Sequence, residues 1–138
     1  MPIYQEATFH DRQSVINEDE NFTSSLVYVD LPGASMTTKS LAIEGCYIAT
    51  FSFLVSASLN NTLANFRLLI DDVPFGVDGA NIKLKTKDLD IGYSLNIVLR
   101  DVPINSILKV QYKTDKGAVT VSEFNAAMDG IPQSRVVE

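Results

Sequence analysis

The feature that most constrains this chain is the alternation over residues 45–59. Tyr47, Ala49, Phe51, Phe53, Val55 and Ala57 occupy every second position there, with Thr50, Ser52, Ser56 and Ser58 between them. A repeat of two belongs to a pleated strand, whose side chains point alternately to its two faces, whereas a helix would place its apolar stripe at a spacing of about 3.6. A strand this long with one apolar face needs neighbouring strands and a second layer to cover it. Ile48 and Leu54 interrupt the polar side, so that side too is expected to be covered, by a neighbouring subunit.

The same period recurs. Ala64, Phe66, Leu68 and Ile70 alternate against Asn65 and Arg67, Tyr93, Leu95, Ile97 and Leu99 against Ser94, Asn96 and Arg100, and Leu108, Val110 and Tyr112 against Lys109, Gln111 and Lys113. Shorter runs appear at residues 27–31, 82–85 and 119–121. Between the runs lie Pro32-Gly33, Asn60-Asn61, Asp71-Asp72, Asp78-Gly79, Pro103 with Asn105, and Asp115-Lys116-Gly117, all turn formers. Pro32-Gly33 is expected to end the strand before it. No segment of helical length carries an apolar stripe, although residues 122–128 leave room for one turn. Regularly spaced strands and turns predict an all-β antiparallel sandwich.

Size and composition fit one folded domain: 138 residues, 46% hydrophobic and 20% charged. A formal charge of -6 disfavours a phosphate backbone as partner, and Lys83, Lys85 and Lys87 read as the solvated side of a strand. No run of about 20 apolar residues could span a membrane, and the N-terminus lacks a basic start followed by an apolar run. The expectation is a soluble chain made in the cytoplasm. The single cysteine, Cys46, forms no internal disulfide, and the sequons at Asn21 and Asn60 mean little without an export signal.

Chemistry is sparse. The one histidine, His10, lies in a polar stretch, and Cys46 beside Gly45 reads as an inert core thiol rather than half of a catalytic dyad. Asp71, Asp72, Asp88 and Asp90 are the acidic residues placed most like cation ligands, but their spacing matches no calcium loop. Phosphate-loop, dinucleotide and zinc patterns are missing. The reading is therefore no enzyme, no cofactor and no metal. Without tryptophan, a sugar-stacking platform would rest on tyrosines that mostly fall on core positions; Tyr28 is the exception.

Residues 1–21 differ from the rest. They are polar with scattered apolar positions, so they read as an N-terminal arm outside a domain spanning 22–132, with 133–138 a C-terminal tail. Tyr4, Phe9, Arg12, Val15 and Ile16 are the arm's candidate partner-interface residues, joined by Ile48 and Leu54 on the long strand.

Residues 23–38, with Val29-Asp30-Leu31-Pro32-Gly33, followed by Gly45-Cys46-Tyr47 and its alternating aromatics and serines, resemble a known family. It is the compact trimeric jelly rolls related to tumour necrosis factor and the complement globular head, as they occur in tailed-bacteriophage virions. Residues 66–72 and 118–132 resemble that family's middle hairpin and closing strands. The resemblance implies an antiparallel jelly-roll β-sandwich of about eight to ten strands and a homotrimer. It also implies a virion structural role without catalysis: a capsid decoration or cement protein on the head surface, bound to the major capsid protein or other virion proteins. The alternative is a head or tail fibre domain that binds a receptor, carbohydrate included.

Overall fold

The computed structural model describes residues 3–5, 12–38, 46–74, 80–103, 105–130 and 135–137. Among the described residues none is helical. The strands are β1 (Ile3–Gln5), β2 (Arg12–Asn17), β3 (Asn21–Thr23), β4 (Val29–Thr37), β5 (Tyr47–Ala57), β6 (Thr62–Ile70), β7 (Val73–Pro74), β8 (Ala80–Leu84), β9 (Ile91–Leu99), β10 (Ile107–Thr114), β11 (Val119–Gly130) and β12 (Arg135–Val137).

Two antiparallel sheets form the sandwich. The first runs β2-β11-β5-β9, with β3 also on β11; the second runs β4-β10-β6-β7, with β8 also on β6. The pairing follows one rule. β2 and β3 meet β11, β4 meets β10, β5 meets β9, and β6 meets β8, so the chain is a long antiparallel ribbon folded back on itself. Rolling that ribbon brings β11 beside β5 and β10 beside β6, which is the jelly-roll arrangement. A separate two-stranded ladder pairs β1 with β12.

The alternation seen in the sequence becomes the core. Tyr47, Ala49, Phe51, Phe53, Val55 and Ala57 of β5 are all buried, as are Phe66 and Leu68 of β6 and Val110 and Tyr112 of β10. Phe53 from the first sheet lies 4.8 Å, centroid to centroid, from Phe66 of the second, and 6.1 Å from Phe124. Each such side chain contributes about 1.5–3 kcal/mol on leaving water, so this aromatic layer is what holds the sheets face to face.

Four local expectations change. Pro32-Gly33 does not end a strand: β4 continues through it, and the register with β10 slips between Lys109↔Ser35 and Gln111↔Asp30. Gly33 takes φ +70°, and the Asn17 amide donates to the Pro32 carbonyl at 2.9 Å, clasping β2 to this bulge. A Cβ on Gly33 would press on the Asn17 side chain and sit at a left-handed φ, so glycine suits this position. Residues 122–128 form no helical turn, because Glu123 at φ +51° is the extra residue of a bulge inside β11. Sheet pairing begins at Arg12 rather than at residue 22, since β2 needs only backbone hydrogen bonds to join β11 and its polar side chains do not oppose that. Finally, Tyr93, Leu95 and Ile97 are only half-buried, because among the described residues β9 is an edge strand paired with β5 alone.

Turn chemistry follows the residue types. Asp71 and Asp72, at φ +49° and +66°, make the two-residue hairpin between β6 and β7. Asn61, Asp88, Asp101 and Asn105 also take positive φ, the region that short polar side chains tolerate best.

Candidate functional site

The outward face of the first sheet is the surface that distinguishes this molecule. The register lays it out in rows. Ile48 sits between Asp129 and Val98, Thr50 between Ala127 and Asn96, Ser52 between Asn125 and Ser94, and Leu54 between Ser122 and Gly92. Ile16 adjoins Asn125, and Phe22 adjoins Thr120. Apart from Asp129, these rows are made of small uncharged side chains, and from them rise Phe22, Ile16, Val98 and Ile48 at 72%, 66%, 54% and 43% exposure. Exposed apolar groups gathered on one face mark a contact surface, whereas single ones do not.

The second sheet presents a different face. Lys109 pairs with Asp72 at 2.7 Å and with Asp30 at 3.6 Å. The Gln111 amide donates to Asp30 at 2.8 Å, and Arg67 Nε donates to the Gln111 carbonyl at 2.9 Å. The Arg67 guanidinium and the Lys113 ammonium lie 4.2 and 4.5 Å from the Tyr28 ring centroid. Tyr28 is therefore engaged by cations and is not an open platform for a sugar ring. Donation from Gln111, together with the nearby Lys109 charge, holds the Asp30 carboxyl below its ordinary range. The hydrogen bond to Asp72 and the field of both carboxylates hold Lys109 above its own. Tyr112, inside the core, is raised by burial.

The sequence-derived interface residues divide as follows. Ile16, Ile48 and Leu54 share the outward face of the first sheet, with Leu54 half-buried. Arg12 opens β2 at the register position opposite Asp129. Val15 points the other way and packs against the core. Tyr4 lies on β1, in register with Val136. Phe9 lies outside the described residues, as does His10. Phe22 and Val98 were missed; Val98 breaks the polar phase of its strand as Ile48 does, which was the available signal.

Cys46 is half-exposed at the entry to β5. Among the described residues, no group of three or more His, Cys, Asp or Glu converges as metal ligands would. The Asp71 carboxylate instead accepts the Ile107 amide at 2.9 Å, and the Asp88 amide donates to the Ala57 carbonyl at 2.8 Å.

No family model matches the chain, and no curated protein sequence matches it. Solved structures do share its fold. The VP2 subviral particle protein of infectious bursal disease virus superposes with a TM-score of 0.64 at 11% identity, over 94% of this chain and 37% of the viral one. The Gx strain of the same virus gives 0.63 at 14% identity, over 94% of this chain and 36% of that chain. Dimeric latent PorU from Porphyromonas gingivalis gives 0.59 at 8% identity, over 88% of this chain and 12% of PorU. The chain thus spans little more than a third of the viral proteins it resembles. At these identities the likeness establishes the sandwich fold, in viral and bacterial proteins alike.

Proposed function

We propose that this chain is a non-catalytic structural protein of a virion, of the capsid-decoration or cement type, docking on the head through the outward face of its first sheet. The observation that carries the reading is that face: a flat, nearly charge-free field bearing Phe22, Ile16, Ile48 and Val98, on a chain whose formal charge is -6. The jelly-roll fold shared with the infectious bursal disease virus proteins supports it. Burying such a face removes apolar area from water and, in the rows described, brings only the charge of Asp129 with it, which suits a rigid module fixed to a shell. A homotrimer would bury part of the same face around a three-fold axis, as closed symmetry requires.

The test is co-sedimentation of the purified chain with undecorated tailed-bacteriophage heads. Saturable uptake that is lost in Ile48→Asp with Val98→Asp supports decoration. Absence of uptake, with specific binding on a glycan array, would overturn it in favour of a fibre or receptor-binding domain.

A further inference from the structure

Each sheet of the sandwich has two edges, and among the described residues all but one carry features that protect against strand addition. β4 carries Pro32, which has no N–H, and the bulge at Gly33. β7 is a two-residue strand containing Pro74, and β8 is short and displays Lys83 outward. β2 and β3 are separated by the exposed acidic residues 18–20. Such features are how soluble sheets avoid pairing with other chains.

β9 has none of them. Its nine residues, Ile91 to Leu99, include no charge and no proline, and they stay in unbroken register with β5. Among the described residues β9 pairs with β5 alone, and no loop backbone bonds to it. Alternate N–H and C=O groups therefore face away from the sheet. Ile91, Tyr93, Leu95 and Ile97 point toward the core but remain half-exposed for want of a neighbour.

We propose that β9 pairs with β9 of a second copy, antiparallel about a two-fold axis through Leu95. Around such an axis each residue meets the partner's copy of its own neighbourhood, so any charge near it faces a like charge. Two chains of charge -6 repel, and a strand free of charge is where they can join. The register centred on Leu95 uses all nine residues. It sets Ser94 against Asn96 of the second copy, which can hydrogen-bond, and Gly92 against Val98, small against large. On the inner side Tyr93 meets Ile97 and Leu95 meets its mate, extending the core across the axis. The contact is independent of the virion reading and leaves the outward face of the sheet open.

Sedimentation equilibrium of the full chain across the micromolar range is the first test. The expected mass is an even number of chains: two, or six where a three-fold contact also forms. Ser94→Lys with Asn96→Lys places lysine opposite lysine twice, and association should weaken about tenfold or more while melting of the protomer is unchanged. Ser35→Lys, on the edge strand β4, should leave association as it was. In the unaltered protein, amide hydrogen exchange should slow along β9 as concentration rises. A mass of only one or three chains, an even assembly indifferent to the lysine pair, or β9 amides that exchange fast at every concentration would each overturn the proposal. Ser94 and Asn96 also lie on the outward face assigned to docking, so the lysine pair is read for self-association alone, and capsid uptake is read on Ile48→Asp, which lies outside β9.

Discussion

The two outer faces of this sandwich are built from the same kind of strand and solve opposite problems. On the second sheet, Lys109, Asp30, Asp72, Gln111, Arg67, Lys113 and Tyr28 satisfy one another, although Ile107 stands exposed beside them. On the first, serine, threonine, asparagine and alanine make a thin polar layer with Phe22, Ile16, Ile48 and Val98 standing out of it. The difference teaches that burial within the monomer does not tell a finished surface from an unfinished one. Mutual pairing among the outward side chains does.

The largest expected effect tests whether the faces depend on one core. Phe53→Ala removes the ring that bridges the sheets and should cost about 3–5 kcal/mol, read from denaturant unfolding, with both faces lost in one transition. Two separate transitions would break the comparison by making the sheets independent units. Next, Gly33→Val forces a branched side chain into φ +70° against Asn17 and should cost about 1–3 kcal/mol. Because the clasp joins β2 to β4, hydrogen exchange should rise first in β2.

The comparison is sharpened by paired surface changes. Ile48→Asp with Val98→Asp should leave protomer stability within about 0.5 kcal/mol, yet abolish docking of the first face, whereas Lys83→Glu on the other sheet should alter neither. The smallest effect belongs to the charged network. Since Gln111 and Lys109 favour the ionised form of Asp30, its contribution is complete above the ordinary value of 3.8 and fades as pH falls through the lowered one. Lys109 behaves oppositely, its contribution fading as pH rises through its raised value above 10.5. Asp30→Asn should barely move the melting temperature at neutral pH and should flatten its acid dependence.

Much of the fold was legible because period-two alternation reports burial directly. In β5 every residue assigned to the core is in it, and Ile48 was noticed because it broke the pattern. The alternation in β9 was equally clear but could not show that the strand lies at an edge, since edge position depends on partners far away in sequence. Pro32-Gly33 is chemically a turn; only the neighbouring Asn17, which bonds its carbonyl, makes it a bulge within a strand. β2 was missed for a related reason. Its place on β11 rests on backbone hydrogen bonds, which every sequence offers alike.

The ribbon pairing has a consequence for how the chain reaches this shape. β5, the centre of the first sheet, is bordered on one side by β11, whose residues emerge from the ribosome between about sixty and eighty positions later. Until then Phe51, Phe53 and Val55 have no neighbour on that side, and β2 lacks the strand it pairs with. Nearly every contact spans a long loop, a topology that folds in milliseconds to seconds rather than microseconds. Synthesis therefore passes through a window in which β5 is exposed to other nascent copies, and chaperone demand should peak before β11 emerges to cover it.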